Sequence, residues 1–315
     1  MDDLVAPSRT AVQQCLNLQP DESCVIVTDE KRLDIGEALY AVASEITDDA
    51  TIIRSQPGTE HGAEPPAPIA GALAEADVFL APTTKSLSHT QARNAACEAG
   101  GRGATLPAIT PSVFRTGLQA DYSAINTECD RIASLVEGAK TIRVTAPAGT
   151  DITFELGERQ WHRDTGIVHT PGAFSNLPAG EVFISPTSAD GTYVVDGTIR
   201  PHGLLDPDQT VAITVEDGVA VDIDDPAVAA SFEDAAAAVG QDAYNLAELG
   251  IGTNMAVTEL VGSVLLDEKA SGTVHIALGD NASIGGSTQA PIHADGIIRD
   301  PTIYVDGHEL DLPSP

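Results

Sequence analysis

Residues 24–53 read CVIVTDEKRLDIGEALYAVASEITDDATII. The apolar run Cys24–Val27 is a strand pattern, Gly36–Ile46 carries apolar residues at helical spacing, and Thr51–Ile53 is a second short β-type run. Strand, helix and strand in this order predict a mostly parallel sheet with helices on its faces. The alternation continues outward. A helical stretch at Ala11–Leu18 precedes Pro20-Asp21, and Ala74–Glu75 close a helix before the strand Asp77–Leu80. Thr90–Ala99 reads as a helix stopped by Gly100-Gly101, and Asp121–Gly138 as the last helix of this half. An α/β N-terminal domain is expected over residues 1–138.

From Thr141 the pattern turns to strands: Thr141–Ala146, Asp151–Leu156, Glu181–Ser185, Gly191–Ile199, Thr210–Val215 and Val219–Ile223. Glu216-Asp217-Gly218 marks a hairpin. Asp225-Pro226 starts a helix that Gly240 stops. Val257, Leu260, Val261, Val264 and Leu265 repeat at helical spacing, predicting a second helix ended by Gly272. The strand Thr273–Leu278, a glycine-rich loop Gly279–Gly286 and a last β region follow. A β-rich α+β C-terminal metal-binding domain is expected over 139–315.

The 315 residues include 47 Asp plus Glu and 16 Lys plus Arg, a net charge of −31. Only Lys31, Lys85, Lys140 and Lys269 are lysines. With 42% hydrophobic residues this is a folded chain with a carboxylate-coated surface, the composition of proteins that work in concentrated salt. Such charge argues against nucleic-acid and anionic-membrane partners. No apolar run approaches the ~18 residues of a membrane span, and Met1-Asp2-Asp3 lacks the form of a signal peptide. A cytoplasmic location is expected, with Cys15, Cys24, Cys97 and Cys129 reduced and unliganded.

No nucleophile elbow, H-E-x-x-H helix, phosphate loop or dinucleotide fingerprint is present. Hard ligands instead gather in the second half. His293 and Asp295, two apart on an extended segment, point to one face and can chelate one cation. His275 sits inside an apolar strand, where an imidazole needs a partner or a metal. Glu181 starts a strand after a Pro-Ala-Gly turn and Glu248 precedes Gly250-x-Gly252, both against apolar neighbours rather than in charge-rich segments. Carboxylates so placed must be paired or bind a cation. The five residues form one candidate cluster whose mixed donors suit Zn²⁺, Co²⁺, Mn²⁺ or Fe²⁺ better than Ca²⁺, with one or two ions per chain. Trp161-His162-Arg163 is accounted for by packing and solvent exposure.

The segments NLPAGEVFISP (Asn176–Pro186), ELGIGTN (Glu248–Asn254), DEKASGTVHIALG (Asp267–Gly279) and PIHADG (Pro291–Gly296) resemble the thermophilic aminopeptidases, the aminopeptidase T and aminopeptidase S family of leucyl aminopeptidase-like metallopeptidases. Weaker similarity covers Ala76–Arg93 and Gly101–Pro111. The resemblance implies a metal-dependent aminopeptidase, a hydrolase that releases N-terminal residues from peptides with metal-activated water, in a homodimer. The acidity suggests a halophilic, haloarchaeal-type member. By motif, Glu181, Glu248, His275, His293 and Asp295 would be metal ligands and Glu268 a general base or supporting carboxylate. Ala282 stands where the aminopeptidases carry a tyrosine ligand. That departure favours the alternative in the same superfamily, a ring-cleaving 2,5-dihydroxypyridine 5,6-dioxygenase with mononuclear iron held by His275, His293 and Asp295. A non-catalytic metal-binding protein of the same fold is the third reading.

Overall fold

Every residue of the strand Cys24–Asp29 is buried, as a strand covered on both faces must be. It lies between Ala50–Ser55 and Val78–Thr83, and Arg102–Pro107 and Phe174–Asn176 extend the sheet, all five strands running parallel. Helices Leu33–Ala43, Ala67–Ala74 and Gln91–Glu98 alternate with the first four strands. On one side Val25, Val27 and Phe79 pack with Ile69 and Leu73. The buried Arg102 guanidinium pairs both nitrogens with Glu22, at 2.7 and 2.8 Å.

The computed structural model describes residues 2–313. Two compact units are defined: Met1–Asn126 with Thr165–Ala179, and Thr127–Asp164 with Gly180–Pro315. The returning segment Thr165–Ala179 brings the short strand Phe174–Asn176 to the parallel sheet. Consecutive spans of 1–138 and 139–315 leave no room for that return.

The second unit holds two seven-stranded sheets. In the first, Val211–Glu216 and Val219–Ile223 form the expected hairpin through Asp217 and Gly218, both at positive φ. Pro226–Val239 is the expected helix: the Asp225 carboxylate caps the N–H groups of Ala227 and Val228, and Gly240 turns the chain at φ 65°. The helix expected through Val257–Leu265 is absent; only Val264–Asp267 is helical. The reason is the buried Asp267 carboxylate, which accepts from the N–H groups of Val261 (2.9 Å) and Gly262 (2.8 Å) and from Thr198 Oγ1 (2.6 Å). Those bonds fold the segment as a loop, with Gly262 at φ 79°. Among the described residues no helix is long and apolar enough to cross a membrane.

Candidate metal centre

The second sheet of this unit has the spatial order Gly203–Leu204, Thr198–Ile199, His293–Ile298, Val274–Gly279, Leu246–Gly252, Glu181–Ile184, His162–Asp164. Its strands Val274–Gly279 and Leu246–Gly252 are buried throughout, yet one face carries ionisable groups. Register explains why. Gly252 pairs with Glu181 and Gly250 with His275, while Ala277 pairs with Glu248 on one side and Asp295 on the other. Paired residues share a face, so Glu181, Glu248, His275, His293 and Asp295 all project to the same side. Glycine and alanine pave the floor between them. A Cβ on Gly250 would lie 2.0 Å from His275 Nε2 and one on Gly252 2.0 Å from the Ala270 carbonyl oxygen.

The five expected ligands converge in two overlapping groups, Glu181–Glu248–His275 and Glu248–His293–Asp295, each with one donor atom per residue within 4.8 Å of the others. Glu248 stands between the imidazoles: Oε1 is 3.3 Å from His275 Nε2, and Oε2 is 3.5 Å from His293 Nε2. His293 Nε2 is also 3.4 Å from Asp295 Oδ1. His275 is 1% exposed, whereas the His293 side chain is 34% exposed and opens the cluster to solvent. His293 Nδ1 lies 2.7 Å from the Asp280 carbonyl oxygen; with the proton assigned there, the Nε2 lone pair is available to an ion.

Electrostatics follow from burial. Desolvation pushes the Glu181 carboxyl up to about 8 despite the opposing charges of Lys269 and His275. Burial disfavours the charged imidazole of His275, but its hydrogen bond to Glu248 and the charges of Glu181, Glu248 and Asp295 lift it to about 9. His293 is raised well above the ordinary range, because Asp295 and Glu248 outweigh desolvation. Asp295 is held low, its burial overcome by the two imidazoles and Lys269. The two imidazoles and Asp295 favour one another's charged forms, whereas burial outweighs the neighbouring cations at Glu181.

Sequence reasoning missed Lys269. It is 3% exposed, hydrogen-bonds Glu181 Oε1 and Glu268 Oε1 (2.7 Å), and stands 4.0 Å from Asp164 Oδ2. The available signal was a lysine beside two carboxylates in a chain with only four lysines. Glu268, expected by motif as a general base or supporting carboxylate, is half-buried against that ammonium. Its carboxyl is raised by burial. Asp164 enters the same face as the register partner of Glu181.

The donor set fits a divalent ion. In each of the two groups one imidazole nitrogen and two carboxylate oxygens converge, and Glu181 Oε2 is buried without a hydrogen-bond partner. Residues 4–310 match the NicX family, described as 2,5-dihydroxypyridine 5,6-dioxygenase. The chain belongs to the NicX family. A 2,5-dihydroxypyridine 5,6-dioxygenase of Pseudomonas putida KT2440 is 25% identical over 191 residues, 57% of this chain. The match spans 55% of that relative's length. The solved 2,5-dihydroxypyridine dioxygenase from Pseudomonas putida KT2440 superposes with a TM-score of 0.81 at 19% identity, over 98% of this chain and 95% of that one. AmpT from Thermus thermophilus follows at 0.70 and 17%, over 98% and 97%. At these identities the two structures establish a common fold.

NicX membership corrects the functional expectation. The aminopeptidase resemblance holds for the fold, through AmpT, but the assignment as a hydrolase or protease is overturned: the family match and the P. putida relative both name a dioxygenase, an oxidoreductase. The motifs misled because they encode strands and loops of a common fold, and a fold leaves the reaction open.

Proposed function

We propose that this chain cleaves the ring of 2,5-dihydroxypyridine or a close dihydroxylated pyridine with dioxygen, at mononuclear iron held by His275, His293 and Asp295. NicX membership over residues 4–310 carries the reading. Two histidines and an aspartate on adjacent strands are the donor chemistry of non-haem iron oxygenases, which supports it. Iron(II), when bound, supplies the redox chemistry that couples dioxygen to the ring.

The protein's own groups act around it. The Asp280 carbonyl fixes the His293 ring. Glu248 lies against both imidazoles and orients them. Lys269 donates to both Glu181 and Glu268 and offsets part of their charge, which keeps two further carboxyl groups within the cluster. Glu268, with its raised pKa and its ammonium partner, is the candidate to accept and return a substrate proton.

The test is anaerobic loading with iron(II), followed by mixing with 2,5-dihydroxypyridine and dioxygen. One dioxygen should disappear per ring opened, with both oxygen atoms recovered in the product. His293→Ala should abolish uptake and iron binding while leaving the circular dichroism spectrum intact. Iron-loaded protein that consumes no dioxygen with this substrate or its close analogues rejects the proposal.

A further inference from the structure

We propose that Phe183, backed by His162, is the surface against which a neutral planar ring lies beside the metal centre; the identity of that ring as a dihydroxypyridine rests on the reading above. Phe183 follows Glu181 by two residues on the same strand and therefore shares its face. Glu181, Val182 and Ile184 are buried; Phe183 alone in that strand is half-open. Its two register partners differ sharply. On one side His162 stacks on it, with ring centroids 5.2 Å apart and planes 22° from parallel, which fixes the ring's orientation.

On the other side stands Gly250, which has no side chain. The ligand-bearing His275 is the next residue in that row, and its Nε2 occupies the space a Gly250 Cβ would need. No side chain of the intervening strand separates the aromatic pair from the metal-binding row. Phe183 is thus oriented, partly accessible and adjacent to the ligands.

Charge narrows what it receives. Asp164, Glu181 and Glu268 lie against the single ammonium of Lys269, and Glu248 and Asp295 share the face, so one ammonium stands among five carboxyl groups. An anionic ring would be repelled. A neutral planar one gains stacking and dispersion on Phe183 without that repulsion.

Calorimetric titration of iron(II)-loaded protein, free of dioxygen, tests this with 2,5-dihydroxypyridine, catechol and the non-planar cyclohexane-1,4-diol. Wild type should prefer the planar rings. Phe183→Leu should weaken them about tenfold and erase most of that preference, with iron content unchanged. Phe183→Tyr should retain it. His162→Ala, which removes only the backing ring, should weaken them about threefold and serves if Phe183→Leu does not fold. Unaltered planar-ring affinity in Phe183→Leu overturns the assignment, as does equal loss of all three ligands or loss of iron. Binding of catechol but not 2,5-dihydroxypyridine, still dependent on Phe183, leaves the ring surface standing and removes the dihydroxypyridine reading. Binding of neither planar ring by wild type removes the ring surface itself.

Discussion

An ammonium at 3% exposure must be matched by carboxylates, and Lys269 has Glu181 and Glu268 within hydrogen-bonding reach. Removing it strands both acids beside Glu248 and Asp295. Lys269→Met is therefore expected to destabilise the metal-free protein by about 3–5 kcal/mol in urea unfolding, the usual cost of an uncompensated buried charge. Adding Glu181→Gln should recover part of that loss. A cost below about 1 kcal/mol would show that Lys269 does not balance the cluster. At this scale the sequence was readable where neighbours were apolar: Glu181, Glu248 and His275 stand out among hydrophobic residues and are buried together. Lys269 and Glu268 were not readable, because a charged residue at a helix end looks solvated until the opposing strand is placed over it.

The hairpin joining Val274–Gly279 to His293–Ile298 acts as a brace. Asn281, 3% exposed, donates from Nδ2 to Ser185 Oγ at 3.0 Å and accepts from the Thr288 N–H at 2.9 Å, while the Arg159 guanidinium holds the Gly285 carbonyl. The adjacent Asp280 presents its carbonyl to His293. Ser185 follows the strand that begins at Glu181, so the brace ties both ends of the ligand set together. Asn281→Ala should lower iron affinity by about 10–100-fold with the sheet intact, measured by competition with a chelator of known affinity. Unchanged affinity would make the loop a passive connection. The Asp225-Pro226 start, the Glu216-Asp217-Gly218 turn and the alternating first half were legible because each rests on local backbone chemistry. The Val257–Leu265 periodicity failed because the buried Asp267, a few residues on, took the N–H groups that the helix needed.

Across the whole molecule the net charge of −31 sets a dependence on salt. Raising sodium chloride from 0.1 M to about 2 M shortens the screening length from about 10 Å to under 3 Å and weakens repulsion among surface carboxylates. The melting temperature should rise steeply over that range; a flat response would show that the acidic surface is not an adaptation to salt. Composition, most of the order of elements and the five candidate ligand residues were legible in the sequence alone, because propensity, turn chemistry and the cost of burying a carboxylate act over short stretches of chain. The tertiary structure decided the rest. Antiparallel register brought residues from Asp164 to Asp295 onto one face, glycines at 250 and 252 left the room, and a buried lysine offset part of the charge. Those depend on which strands become neighbours, a long-range outcome of packing that no local pattern encodes.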